Sequence, residues 1–411
     1  MVEGKKKPRI SREDALEALF ALAEPVGTET VPADACCGRV LAEDLISPEA
    51  VPPFPKSPLD GYALRGEDTA EASPERPVVL RITEEISAGS APKLPVGSGW
   101  AAKILTGAPI PVGANAVVRF EETRFTEETV TLTAPVPPNT DVIPAGDDVK
   151  PGQRMANRGE VITPPVAGLL AAVDRDAVRV YRKPRITVVS TGSELTEPGV
   201  PLEYGKIRNS SYALLKGYME QAGAVVDTLG IIGDDADAIA GAIRRALDRA
   251  DMVVTTGGVS VGDYDYVLAA TEKLGARRLF WKVRFRPGGT MLAAEREGKL
   301  ILGLSGNPAS ASLGLFLLGL PFIRALCGQE KAPVPRTRAR LLTPIEKDSP
   351  YGRLVRGRME LADGEVCFRC MDHQGNGALT SLLGCDMIAD IPPDTPPLPA
   401  GTVIDAYVLS R

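Results

Sequence analysis

Between Arg185 and Gly328 short apolar runs alternate with helical patterns, and that alternation constrains the fold more than any other feature of the chain. "RITVVS", "AVVDTLG", "DMVVTT" and "KLILGLS" are short and rich in β-branched residues. Between them, Asn209–Ala222 places Leu214, Leu215, Tyr218 and Met219 on one helical face, and Asp235–Ala250 places Ile239, Ile243 and Leu247 at i, i+4 and i+8. Parallel strands need long crossovers, and helices in those crossovers bury the sheet. The segment therefore predicts a doubly wound parallel sheet. The flanks differ. Ser11–Ala23 opens with a cap serine, then acids, then apolar residues at helical spacing. From Val51 to about Ile143, runs such as "RPVVLRI" and "NAVVRF" lie between Pro/Gly turns and predict a small β domain. Helical texture returns around "PPVAGLLAA", "KAPVPRTRAR" reads as a linker, and the remainder is β-rich again. The fold class is α/β plus β, in several domains.

A chain of 411 residues supports this division, and its net charge of -6 argues against nucleic acid as the main partner. No apolar run reaches the roughly 18 residues of a membrane span. Ala311–Ile323 reads as a buried helix, and "MVEGKKKPRI" lacks the apolar stretch of a signal peptide. A cytoplasmic protein with free thiols and no membrane partner is expected. Cys367 and Cys370 form one isolated C-x-x-C pair and read as strand residues rather than zinc ligands. A single histidine, His373, weakens any Ser-His-Asp reading.

In an open α/β sheet, ligands bind beyond the carboxyl ends of the strands. The loops leaving those ends are Ser190-Thr-Gly-Ser-Glu194, Gly230-Ile-Ile-Gly-Asp234-Asp235, "TTGGVSVGDYDY" (Thr255–Tyr266) and Ser305-Gly-Asn307-Pro-Ala-Ser310. Asp235 reads as a helix cap and Pro308 as a first-turn proline. "GGVSVG" is neither a Walker loop nor a dinucleotide fingerprint. The coincidence of position is what suggests a phosphorylated ligand held with a divalent metal. Backbone N–H groups at Gly257, Gly258 and Gly262 could meet phosphate oxygens, with hydroxyls of Ser190, Thr191 and Ser260 as further donors. Glu194, Asp234 and Asp265 could hold Mg2+, a hard cation that prefers oxygen. The next strand, "FWKVRFRPGGT", carries Lys282, Arg284 and Arg286, which strand alternation would place on one face to bind an oxyanion.

Seven stretches together resemble the molybdopterin molybdenumtransferases, a family that includes the gephyrin E domain. They are "PPFPKSPLDGYALR", "ILTGAPIPVGANAVV", "STGSEL", "GGVSVGDYDY", "FWKVRFRPG", "SGNPASA" and "HQGNGALTSL", spread over essentially the whole chain. The resemblance implies an N-terminal connecting and dimerisation domain (1–50 plus 144–184), a small β domain (51–143), a molybdopterin-binding α/β domain (185–330) and a C-terminal β-barrel (331–411). It implies a homodimer whose active-site cleft combines parts of two subunits. The implied reaction inserts molybdate into adenylylated molybdopterin with Mg2+ and releases AMP. Molybdopterin adenylyltransferase and target apoenzymes are implied as protein partners. By position, Glu194, Asp234 and Asp265 match the family's acids near metal and pyrophosphate, and Lys282 its lysine. Asp60, Thr106, Arg358 and Ser381 match functional positions of the outer domains. Ser305 and Asn307 stand in the matched "SGNPASA" loop. There are departures: Ser193 replaces an acid, Arg286 a lysine, Gly289 a second lysine, and Asp263 falls where Glu is usual. They motivate two alternatives, a tungstate-preferring paralogue and a catalytically degenerate pterin-binding homologue.

Overall fold

In the computed structural model, residues 9–259, 265–348 and 350–409 are described. They fall into two compact units. One comprises 31–37 and 43–178, and the other the N-terminal segment to Thr30, 38–42 and everything from Arg179 onward.

The first unit is built on a six-stranded sheet of short strands, in the order Ala116–Arg119, Gly61–Leu64, Trp100–Ile104, Val78–Ile86, Thr129–Leu132, Arg124–Phe125. Tyr62, Leu64, Leu80 and Val130 form the core on one face, and Ala63, Ile86 and Ile104 on the other. The proline-rich "PPVAGLLAA" forms a helix, Pro164–Ala172, with proline in its first turn.

The second unit carries the sheet predicted from the alternating texture. Its strands are β1 (Arg185–Thr191), β2 (Val225–Ile232), β3 (Met252–Thr256), β4 (Arg277–Trp281), β5 (Leu292–Arg296) and β6 (Lys299–Leu304), ordered β2-β1-β3-β6-β5-β4. The first four in that order are mutually parallel, and β5 and β4 join antiparallel at the far edge. Helices cover both faces: α1 (Arg12–Leu22), α2 (Ser210–Gln221), α3 (Ala236–Leu247), α4 (Tyr266–Lys273) and α5 (Pro308–Leu326). Ser11 and Asp235 cap α1 and α3, each accepting the backbone N–H three residues on. The predicted apolar faces are buried: Leu215 and Met219 on α2, Ile239, Ile243 and Leu247 on α3.

Helix α5 is longer than the expected Ala311–Ile323. It runs 19 residues, with a π turn at Leu315–Gly319 just before Pro321, where the proline ring excludes the regular i→i−4 bond. It is long and apolar enough to cross a membrane, but 89% of it is buried against the sheet, which makes it a core helix.

Five strands then close a barrel: β7 (Arg336–Leu341), β8 (Arg353–Ala362), β9 (Glu365–Cys370), β10 (Met387–Ile391) and β11 (Val403–Val408). Cys367 and Cys370 both lie in β9. Arg12 of α1 and Arg336 of β7 share the carboxylate of Asp390, and both guanidinium groups lie over the buried ring of Tyr407. That cluster ties α1 to the barrel.

Candidate active site

Strands β1, β2, β3 and β6 run the same way, so their carboxyl ends share one edge. A cleft of about 1200 Å3 opens there. Glu194, Gly257, Gly258, Lys282, Arg286, Ser305 and Asn307 line its α/β side, and Tyr351, Arg353, Asp372 and Gln374 its barrel side.

The two glycines are needed first for packing. Gly257 and Gly258 have φ of +85° and +64°, and a Cβ on Gly257 would lie 2.4 Å from Thr191 O. The Gly257 N–H is committed to Leu304 O, at 3.0 Å, so it is not available to a phosphate. Ser190 and Thr191 correct the expectation more sharply. Both are buried inside β1, with Ser190 Oγ bonded to the Asn209 amide and Thr191 Oγ1 donating to Thr256 O. Strand pairing turns their hydroxyls into the fold rather than the cleft. Ser260 and Gly262, with Asp263, lie outside the described residues. Ser305 Oγ accepts from the Asn307 N–H at 3.3 Å, shaping the turn into α5.

The expected carboxylates are held differently from one another. Glu194 reaches the cleft, its carboxylate folded over Gly192. Asp234 accepts from the Ser193 backbone N–H at 3.0 Å and from the Ser193 hydroxyl. An acid at 193 would face Asp234 without a proton to offer, so the serine suits this loop. Asp265 caps α4 by accepting from the Leu268 N–H at 3.3 Å, and its other oxygen is buried without a partner among the described residues. Burial pushes its carboxyl up to about 6, against the pull of that capping bond and of the Lys282 charge. Among the described residues no three potential metal ligands lie in one cluster in this arrangement.

The cationic stretch also departs from simple alternation. Strand β4 ends at Trp281, and Lys282 has φ of +67°, which turns the chain. Lys282 N–H donates to Met291 O and Val283 N–H to Gly289 O, both at 2.8 Å, closing a tight loop. Lys282 and Arg286 line the cleft, whereas Arg284 does not. The Lys282 ammonium lies 3.6 Å from the centre of the Trp281 ring. Gly289 has no room for a side chain: a Cβ would sit 2.2 Å from Phe285 O and 2.4 Å from Val283 O.

Of the remaining expected residues, Asp60 and Thr106 meet in the first unit, where Thr106 N–H and Oγ1 both donate to Asp60 Oδ1 at 2.7 Å. Those bonds hold the exposed Asp60 carboxyl below its ordinary value. Arg358 donates to Leu383 O, and Ser381 is buried with its hydroxyl on Ala378 O. Neither lines the cleft. Arg9, Tyr351 and Arg353 do, and no sequence pattern singles them out. Arg9 arrives because Ile10 bridges Val283, with Ile10 N–H donating to Lys282 O and Arg284 N–H to Ile10 O.

An open α/β sheet with glycine-rich turns at its carboxyl edge, facing a barrel across a cation-rich cleft, defines an α/β protein built to bind an anionic ligand. A family model described as "Probable molybdopterin binding domain" matches residues 187–325. Models of the MoeA N-terminal region (domains I and II) and C-terminal region (domain IV) match 10–173 and 338–409. A molybdopterin molybdenumtransferase of Bacillus subtilis is 34% identical, covering 98% of this chain and 95% of its own. One of Staphylococcus aureus is 32% identical, covering 98% and 96%. A crystal structure of a molybdopterin biosynthesis MoeA protein from Pyrococcus horikoshii superposes with a TM-score of 0.85 at 30% identity, covering 98% of this chain and 100% of that one. The chain belongs to the molybdopterin molybdenumtransferase family, transferases of molybdenum cofactor biosynthesis.

Proposed function

We propose that this protein inserts molybdate into adenylylated molybdopterin with the help of Mg2+ and releases AMP. The observation that carries the proposal is the cleft itself. Lys282 and Arg286, Glu194, and the turns at Gly257–Gly258 and Ser305–Asn307 line one cavity at the carboxyl edge of the sheet. Lining residues include the cations Arg9, Lys282, Arg286, Lys347 and Arg353 against the carboxylates Glu194, Glu346 and Asp372, an excess suited to anionic substrates.

Glu194 and Asp234, linked through Ser193, fit Mg2+ in donor chemistry, because that ion takes one or two carboxylates plus phosphate oxygens. Asp265, committed to the α4 cap, stands as a third acid on the same reading. When bound, the ion would supply a Lewis acid at the phosphate. Lys282 and Arg286 would hold the tetrahedral oxyanion and stabilise charge as an oxygen leaves. The pterin's own dithiolene sulfurs would bond to the metal as one oxygen of the oxyanion leaves as water with the two thiol protons, and a second water would cleave the phosphoanhydride to release AMP, so no protein nucleophile is required. The turns at Gly258 and Ser305–Asn307 orient the phosphate end. Asp60, Thr106, Arg358 and Ser381 belong to the proposed substrate contacts by family position, within a cytoplasmic homodimer whose partner subunit completes the site.

Incubation with adenylylated molybdopterin, Mg2+ and molybdate tests the proposal. AMP should accumulate, and its absence beside an active relative would refute it. Tungstate is the second arm. The loop at Gly289, which cannot carry the family's lysine, favours a shifted oxyanion preference, and equal responses at low concentration would remove that variant.

A further inference from the structure

Arg286 is gripped from the barrel side. Its N–H donates to Gly352 O at 3.0 Å, and its carbonyl accepts from the Leu354 N–H at 2.7 Å. Those bonds make Arg286 and Arg353 bridge partners. Like charges on bridge partners repel unless something separates or neutralises them. Here the two guanidinium groups are steered apart. Arg353 Nη1 donates to Lys347 O at 2.9 Å, while the Arg286 guanidinium carbon lies 3.7 Å from the centre of the Tyr351 ring. Neither arginine is ion-paired with a carboxylate among the described residues. Both line the cleft, as does Tyr351.

An arginine side chain has many rotamers, and its planar fork is useful to an oxyanion only when it is held. Three consecutive features of one barrel segment hold this one: the ring of Tyr351, the carbonyl of Gly352 and the N–H of Leu354. A lysine has no planar face to lay on such a ring, so the arginine at 286 and the tyrosine at 351 make sense as a pair.

We infer that Tyr351 is a positioning residue for oxyanion capture: its ring stacks on Arg286 and presets the guanidinium toward the cleft. The inference rests on Arg286 being an oxyanion ligand. It places a determinant of molybdate affinity on the barrel, acting through a residue of the α/β domain. Tyr351 is 46% exposed, so its replacement should leave the fold intact.

The test is a double-mutant cycle on the full chain, with Tyr351→Phe, Tyr351→Leu, Arg286→Met and Tyr351→Leu/Arg286→Met. Two readouts are needed: molybdate affinity without pterin, by equilibrium dialysis, and KM against kcat for molybdate in AMP release. Tyr351→Leu should weaken molybdate binding roughly three- to tenfold, as expected for a lost cation–π contact. It should raise KM with little change in kcat, while Tyr351→Phe stays near wild type. In the Arg286→Met background, Tyr351→Leu should add nothing. Wild-type affinity in Tyr351→Leu, or an equal loss in both backgrounds, would overturn the inference. If Arg286→Met itself binds molybdate normally, the oxyanion reading of Arg286 falls and the inference with it. That outcome is separate from a failure of Tyr351 alone.

Discussion

Asp265→Asn separates the energetics of this acid from its chemistry. The folded protein holds the carboxyl at about 6 against an ordinary 3.8, chiefly because it is partly buried. The full difference corresponds to about 3 kcal/mol at 1.36 kcal/mol per tenfold change in the proton equilibrium. Partial exposure admits solvent screening, which brings the expected cost of the charge down to about 1–2 kcal/mol. The sign follows from the raised value. Between pH 3.8 and about 6 the folded state binds more protons than the unfolded one, so stability falls as pH rises through that window. Above about 6 the cost is fully present and constant. Asparagine caps a helix as well as aspartate does, so the α4 cap survives the substitution. Asp265→Asn should therefore be more stable than wild type by about 1–2 kcal/mol at pH 7, and the advantage should vanish by about pH 4. Denaturant titrations in Mg2+-free buffer across pH 4–8 measure this directly. The same variant should lose AMP release if Asp265 serves the phosphate and metal, and Mg2+ should then raise the Tm of wild type more than that of the variant. A variant less stable than wild type at pH 7, or an advantage independent of pH, would refute the account of the buried charge.

Gly289→Ala puts a methyl 2.2 Å from Phe285 O, so the loop joining Lys282 to Arg286 must shift, at a cost of about 1–3 kcal/mol. Its AMP release should fall by roughly a hundredfold, as for a misplacement of about 1 Å, and Gly289→Lys should do no better; a lysine variant with raised activity would contradict the packing. Gly217→Ala, in the middle of α2 with open space around it, should instead stabilise the protein by about 0.5–1 kcal/mol in denaturant titration, with catalysis unchanged. Asp390→Asn takes the shared carboxylate from Arg12 and Arg336 and should cost about 1–3 kcal/mol. Because Arg12 follows Ile10, whose backbone pairs with Lys282 and Arg284, amide exchange should also rise at Ile10 and Arg284.

What was legible in the sequence follows from how local each signal is. The four parallel strands and the α2 and α3 faces were written in hydrophobic period, and Asp235 and Ser11 in cap chemistry, so the structure places them where the pattern does. Positions along a strand were read less well. Ser190 and Thr191 look like phosphate donors because they end a strand, yet neighbours on both sides, β2 and β3, enclose them. Alternation failed at Lys282 because a left-handed residue ends β4 there, and lysine, unlike glycine, asparagine or aspartate, does not signal that conformation in a sequence. The barrel wall of the cleft could not be found at all: Gly352 and Leu354 pair with Arg286 across more than sixty residues through backbone hydrogen bonds that any residue could make, and that pairing brings Tyr351 and Arg353 to the cleft.

The same contrast reinterprets the departures from the family pattern. In the sequence, Ser193 and Gly289 read as one acid and one cation lost, a near-cancellation of charge. In the structure they are separate matters. Ser193 gives its hydroxyl to Asp234, so the serine supports a carboxylate that an acid would repel. Gly289 sits where two carbonyl oxygens close the loop, so its missing lysine is a matter of backbone space rather than of charge. The loop presents Lys282 and Arg286 from its two ends, and Arg9 and Arg353 add cations from outside it. On the proposed reading, an oxyanion in this cleft would meet groups of the barrel as well as of the loop. Oxyanion preference should therefore respond to substitutions at Tyr351 and Arg353 on the barrel rather than to a lysine forced into the loop.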